Sequence, residues 1–363
     1  MKSFFSDKRV LVTGCCGTVG SELVRLLLEK YRVGELLGLD NNESELFFME
    51  QLYGRTQAHF SLGDVRDRDK LLRKMRGINM VFHAAAFKHV ELCERSPFDA
   101  VQTNILGMQN IIVAAGENNV ERVIFTSSDK AVNPTNVMGT SKLMGERLMT
   151  SAHSSARDGT TIYTSTRFGN VLGSRGSVIP LFNKQIRQGG PVTLTDPNMT
   201  RFIMSIQEAA RLVIDSAMYA NGGEVLITKM PVIRIQDLAA VMIREIAPEY
   251  DLDPENVEIR IIGTKPGEKM YEELMSMEET RRAWELERYF VVLPAFANLY
   301  RNIEYKYDDL VSREVTNPYH SGNEQALSQE EIAMFLRQNN LLRGNGKTGD
   351  TIDRTASDEC EGL

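Results

Sequence analysis

Cysteine is scarce in this chain of 363 residues: Cys15, Cys16, Cys93 and Cys360 are all there is. Their spacing is neither that of a metal-ligand set nor that of a disulfide framework, so no metal site is expected and Cys15 and Cys16 read as small side chains in a glycine loop. Tryptophan is rarer still, and Trp284 alone is assigned to core or interface. Long apolar runs are missing too. No stretch reaches about 18 residues, so neither a membrane span nor a signal peptide is expected, and the chain reads as cytoplasmic. Nor is there an excess of basic charge: 42 Lys and Arg stand against 49 Asp and Glu, a net charge of -7 with the signs interspersed. A nucleic-acid footprint needs a basic face and is therefore excluded, whereas a small anion needs only a helix N-terminus or a few local cations.

What remains is ordinary for a soluble globular enzyme, 42% hydrophobic and 25% charged. Short apolar runs at Arg9–Thr13, Leu36–Asp40, Ala58–Ser61, Met80–His83, Arg122–Thr126 and Thr161–Ser165 alternate with helical patterns at Val19–Lys30, Ser44–Tyr53, Arg68–Met75, Pro97–Asn118 and Asn136–Ala156. Strands alternating with helices of this length imply βαβ units, and their continuous apolar character implies a parallel sheet covered on both faces. The expected fold is α/β, a Rossmann-type doubly wound parallel sheet with a smaller, discontinuous substrate-binding lobe. The expected division gives residues 1–170 and about 206–246 to the dinucleotide domain, with the strand at Glu224–Ile227 returning to the main sheet. Residues 171–205 and 247–343 form the lobe, and 344–363, nearly devoid of apolar residues, form a disordered tail.

The first strand runs into Thr13-Gly14-Cys15-Cys16-Gly17-Thr18-Val19-Gly20, with glycines three apart where the chain turns into a helix. A tight turn, close approach of backbone to a pyrophosphate and close helix–strand packing each call for glycine, and the helix N-terminus favours the anion. Asp40 ends the next strand, twenty residues beyond Gly20. Its carboxylate suits two ribose hydroxyls and repels a 2′-phosphate, and Asn41, Asn42 and Glu43 bring no cation to offset that, so NAD is expected over NADP. Asp64 and Val65 are placed to meet the adenine, with a helix N-cap as the other reading of Asp64. Ala84, Ala85 and Ala86 leave room for the cofactor's middle.

Further along stand Phe82-His83-Ala84-Ala85-Ala86-Phe87-Lys88-His89-Val90, Thr103-Asn104, the run from Ser128-Asp129-Lys130 through Pro134 to Met138-Gly139-Thr140-Ser141-Lys142, and Arg167-Phe168-Gly169-Asn170-Val171. Met199-Thr200-Arg201-Phe202 and Lys265-Pro266-Gly267-Glu268-Lys269 follow. Over residues 8 to 300 these motifs resemble the extended short-chain dehydrogenase/reductases of bacterial polysaccharide biosynthesis, specifically the nucleotide-activated N-acetylglucosamine 4,6-dehydratases. Two features separate the chain from a plain dehydrogenase. An acid and a base, Asp129 and Lys130, follow Ser128, and Met138 stands four residues before Lys142 where a tyrosine is usual. Methionine marks the branch that retains configuration at C5.

The resemblance implies catalytic roles for Ser128, Asp129, Lys130, Met138 and Lys142. Lys130 would take the C5 proton and Asp129, kept neutral by burial, would protonate the leaving C6 hydroxyl. Thr13, Gly14, Gly17, Thr18, Val19, Gly20, Asp40, Asn41, Asp64, Val65, Ala84, Ala85, Ala86, Asn104 and Lys142 would hold NAD. Lys88, Asn170, Val171, Ser177, Val178, Arg201, Lys265 and Glu268 would hold the nucleotide sugar, Arg201 as the diphosphate clamp. UDP-N-acetylglucosamine is the expected substrate and a homo-oligomer the expected assembly, with no nucleic-acid or membrane partner. A GDP-linked substrate, inversion at C5, a nucleotide-sugar 4-epimerase and a non-enzymatic dinucleotide sensor are the alternatives. The last two have no use for an acid–base pair after the serine.

Overall fold

The computed structural model describes residues 2–155, 161–174, 176–264, 267–295 and 303–342. The expected tail at 344–363 and the expected substrate residue Lys265 lie outside them. The chain divides into two compact units: Met1–Gly169 with Ile206–Met230 and Glu272–Glu324, and Asn170–Ser205 with Pro231–Tyr271 and Gln325–Leu363.

The first unit is built on a 10-stranded sheet. Its first six strands are β1 (Arg9–Thr13), β2 (Glu35–Asp40), β3 (Ala58–Leu62), β4 (Met80–His83), β5 (Arg122–Thr126) and β6 (Ile162–Arg167), in the parallel order β3-β2-β1-β4-β5-β6. The order reverses between β1 and β4, which is where open α/β sheets bind ligands at their carboxyl edge. Val225–Thr228 continues the parallel order beside β6, and the antiparallel strands Tyr289–Val292, Ala283–Leu286 and Leu310–Ser312 complete the sheet. β4 is buried along its whole length and β1 at all but Arg9, so their apolar runs are core on both faces. Leu11, Val81, Val123 and Phe125 from the strands meet Met108, Ile111 and Met149 from the helices in one apolar core.

The second unit has its own core. Helices Val178–Arg187, Ile235–Ile246 and Gln329–Gln338 pool Phe182, Ile186, Leu238, Met242, Ile246, Ile332 and Leu336. Beside them lie a 3-stranded sheet of Asn170–Val171, Thr200–Met204 and Val232–Arg234, and the pair Val192–Leu194 and Ile259–Ile261.

This division corrects the expected boundaries twice. Helix Ile235–Ile246, assigned from sequence to the dinucleotide domain, belongs to the second unit, because its apolar stripe fills that unit's core. Residues 272–324, assigned to the lobe, belong to the first unit, because their short strands extend the main sheet. A short antiparallel edge strand carries no βαβ signature, so periodicity alone does not reveal it.

Candidate active site

The glycine turn lies at the reversal of strand order. Gly14 has φ +71, and a Cβ there would come within 2.6 Å of the Ala85 backbone nitrogen. At Gly20 a Cβ would overlap the Gly14 carbonyl oxygen, so the helix can pack this close only without a side chain. Helix Thr18–Leu26 has no side-chain cap at Gly17, which leaves its first-turn N–H groups available to an anion. The Asp40 carboxylate accepts from the amides of Cys16 (2.9 Å) and Asn42 (3.0 Å). It is thereby fixed beside the turn with lone pairs left for ribose hydroxyls. These residues fit a dinucleotide: bare backbone and a helix N-terminus for pyrophosphate, and an anchored carboxylate for ribose. Cys15 and Cys16 bring their sulfurs to 4.0 Å of one another near Asp40, and both thiols are buried.

Three expected cofactor residues also make contacts within the chain. Asp64 pairs with Arg66 at 2.6 Å, which holds its carboxyl below the usual range, and Asp67 rather than Asp64 caps helix Arg68–Lys74. The Val65 side chain joins the apolar core. Asn104 spends its amide on Phe87 N (2.8 Å), Phe87 O (3.0 Å) and Ser141 Oγ (2.9 Å), tying the loop after β4 to helix Val137–Ser155.

At the carboxyl end of β5, Ser128, Asp129 and Lys130 form one tight turn. Ser128 Oγ donates to Asp129 Oδ1 at 2.6 Å, and Lys130 Nζ donates to Asp129 Oδ2 at 2.9 Å. Asp129 is 1% exposed. Burial alone would raise its pKa, but the Lys130 charge and hydrogen bonds from Glu272, Ser128 and Lys130 together hold it down, to about 2. The direction is opposite to that expected from burial alone, and Lys130 lies between two carboxyl groups, with Glu272 Oε1 at 3.5 Å. Glu272 is buried and was not singled out from sequence. It precedes strand Glu273–Met275 and is far from Asp129 along the chain, so nothing in local spacing signals it.

Lys142 is buried, donates to the Thr126 carbonyl at 2.9 Å and sits 4.8 Å from the centre of the Phe125 ring. Burial lowers its pKa to about 8, against the pull of Glu146. Met138, expected to face the cleft on the same side of the helix as Lys142, is buried like Lys142 and packs in an apolar cluster with Cys93, Ala100, Val90 and Val137. Behind the turn, Arg167 is fully buried between Glu146 (2.6 Å) and Glu279 (3.0 Å). It donates to the Leu274 carbonyl at 2.7 Å, while Ser127 Oγ donates to Glu146 at 2.5 Å. Truncating one member of such a buried ion group typically costs about 3–5 kcal/mol, so this network fixes both segments of the site. Lys88 and His89 are exposed on the loop after β4.

In the second unit, six expected substrate residues line one cavity of about 660 Å³: Asn170, Val171, Ser177, Val178, Arg201 and Glu268. The Ser177 hydroxyl is buried without a hydrogen-bond partner at the N-terminus of helix Val178–Arg187. The Arg201 guanidinium, expected to clamp a diphosphate, donates to the carbonyls of Thr200 (2.8 Å), Lys269 (2.9 Å) and Met270 (3.3 Å), bracing two segments of the cavity wall. Among the described residues no helix is long and apolar enough to cross a membrane.

Comparison with known proteins matches residues 10–294 to the family described as polysaccharide biosynthesis protein. An uncharacterized membrane protein of Methanocaldococcus jannaschii is 46% identical over 94% of this chain and 99% of its own length. A UDP-N-acetylglucosamine 4,6-dehydratase (inverting) of Campylobacter jejuni is 37% identical over 80% of this chain and 84% of its own. A UDP-glucose 4-epimerase of Rickettsia rickettsii is 36% identical over 92% and 96%. Among solved structures, Pen from Bacillus thuringiensis superposes with a TM-score of 0.86 at 41% identity, covering 94% of this chain and all of that one. With the glycine turn, the serine–acid–base turn and this coverage together, the chain belongs to the polysaccharide biosynthesis protein family.

Proposed function

We propose that this protein is an NAD-dependent 4,6-dehydratase of UDP-N-acetylglucosamine that retains configuration at C5. The observation that carries the reading is the Asp129–Lys130 contact at 2.9 Å, at the carboxyl end of β5 beside Ser128. Elimination of water across C5 and C6 needs one group to take a proton and another to give one. A proton crossing from Lys130 to Asp129 leaves an amine and a carboxylic acid side by side. Lys130 then takes the C5 proton, Asp129 protonates the departing C6 oxygen, and the ion pair is restored.

When bound, NAD supplies acceptance of hydride from C4 and its return to C6. Gly14, Gly17, Gly20 and Asp40 are the residues to hold it, by the fit described above. Oxidation at C4 also releases a hydroxyl proton, which the Met138 thioether cannot carry. The Ser128 hydroxyl lies 2.6 Å from the Asp129 carboxylate, and Lys142, with its pKa lowered to about 8 by burial, is the group to assist it. The second unit's cavity, with the buried Ser177 hydroxyl at a helix N-terminus, is assigned to the nucleotide.

A 4-epimerase needs a proton carrier at position 138 and has no use for the pair, so the pair favours dehydration. Incubating the protein with NAD and UDP- or GDP-N-acetylglucosamine, separately, decides the matter by product mass. Loss of one water from the UDP sugar is expected. An isomer of unchanged mass overturns the reading, and loss of water only from the GDP sugar reassigns the substrate.

A further inference from the structure

We infer that Cys15, Cys16 and Asp40 form a site for a thiophilic divalent cation such as zinc, and that a cation held there excludes the dinucleotide. The donor atoms, two sulfurs and a carboxylate oxygen, all lie within 4.8 Å of one another. The sulfurs are 4.0 Å apart. Two thiolates on one tetrahedral zinc, each bonded at about 2.3 Å, stand about 3.8 Å apart, so the pair needs only a small movement to close on the ion. Sulfur donors select against calcium and magnesium, which take oxygen. Spacing along the chain shows no such site, since adjacent cysteines are not a usual ligand pattern and the third donor comes from strand β2.

The fold holds these donors in place. Cys15 Sγ lies against β2, where Gly38 leaves it room: a Cβ on Gly38 would come within 3.0 Å of the sulfur. The Asp40 carboxylate accepts from the amides of Cys16 at 2.9 Å and Asn42 at 3.0 Å, which fixes it beside the Cys16 backbone. Both thiols are buried, whereas Gly17 is exposed and Asp40 partly so, and that side gives a cation its way in.

Binding is an exchange of protons for metal. Two S–H bonds break, two metal–sulfur bonds form, and two protons pass to solvent. Burial disfavours free thiolates, so the protons leave only as the cation arrives. Two thiolates, one carboxylate and a divalent cation carry one net negative charge, which the uncapped N-terminus of helix Thr18–Leu26 is placed to offset. The cation takes the Asp40 lone pairs that a ribose would use, so cation and dinucleotide compete for one carboxylate. The exclusion rests on the dinucleotide reading; the cation site does not.

Cadmium is the probe, because its thiolate complexes absorb in the ultraviolet. One equivalent should produce that band in the NAD-free wild type, and X-ray absorption at the cadmium edge should count two sulfurs. Cys15→Ser and Cys16→Ser should each lose at least half of the band. Each should also weaken binding by more than the factor of about 10–100 that loss of a merely supporting residue costs. Cys93→Ser and Cys360→Ser should bind cadmium as the wild type does. A full band in folded Cys15→Ser or Cys16→Ser, or its loss in Cys93→Ser or Cys360→Ser, overturns the site. So does a count below two sulfurs in the wild type, a measurement that needs no variant. Cadmium at about a hundred times its dissociation constant should raise the apparent dissociation constant of NAD about a hundredfold, and NAD should weaken cadmium reciprocally. Independent binding of the two overturns the exclusion. A wild type that binds no NAD even without cadmium overturns the dinucleotide reading instead, and the cadmium band still decides on the site.

Discussion

His83, the last residue of β4, is fully buried, with Nδ1 2.7 Å from Thr13 Oγ1 and its ring stacked on Phe125 at 5.9 Å. Burial first, and then the nearby Lys142 charge, lower its pKa from 6.5 to about 3. The sign follows directly. Below pH 6.5 the unfolded chain binds a proton that the folded chain refuses, so this residue's contribution is intact above 6.5 and is lost as pH falls toward 3. At pH 5 the loss is about 2 kcal/mol, from 1.5 pH units below the unfolded pKa at about 1.36 kcal/mol each. Asp129 and Glu279, both held to about 2, contribute stability that is lost only at lower pH, as pH falls below their ordinary values of 3.8 and 4.5. Asp215 and Glu224, whose carboxyls burial pushes up, gain stability as pH falls, so His83 is read against a variant that shares them. His83→Asn keeps a polar partner for Thr13 but does not titrate. From pH 7 to 5 the wild-type urea midpoint should fall relative to that of the variant, and parallel slopes would remove His83 from the account.

Helix Val137–Ser155 and the turn at Asp129–Ala131 approach closely enough that a Cβ on Gly139 would overlap the Lys130 carbonyl oxygen. Backbone cannot yield as a flexible side chain does, so Gly139→Ala should push the turn and the helix apart. The expected cost is about 1–3 kcal/mol of stability, as for other overpacked sites, with a fall in turnover at least as large. Gly116→Ala, whose methyl would meet only the Tyr163 hydroxyl at 3.5 Å, is the matched comparison and should melt near wild type. Equal melting temperatures for the two variants would mean that the contact is slack. The motif around Gly139 was legible as a site because its residues are contiguous. The reason for the glycine was not, since it lies in a contact between two elements. Glu272 was hidden for the same reason. For Met138 the i, i+4 spacing gave the face shared with Lys142 but not what packs on it, and here Cys93 and Ala100 join it in one cluster.

At the scale of the molecule, the parallel order of β1 to β6 was readable from alternating patterns, because each βαβ unit writes its periodicity locally. The assignment of residues 272–324 was not, because antiparallel strands of three or four residues gain their meaning only from the partners they pair with. The result is two units with separate apolar cores, one carrying the glycine turn and the other the 660 Å³ cavity. If the cofactor belongs to the first and the nucleotide to the second, each ligand should stabilise its own unit by mass action. At about a hundred times the dissociation constant, that amounts to about 2.7 kcal/mol against local opening. Hydrogen exchange measures this region by region. NAD alone should protect amides around Thr13–Ser21 and Asp40–Asn42, and UDP alone those of Asn170–Val171, Val178–Arg187 and Thr200–Met204. Protection by UDP confined to the glycine turn would move the nucleotide out of the cavity. Protection of neither region by NAD would remove the dinucleotide assignment on which the chemistry at Asp129 and Lys130 depends.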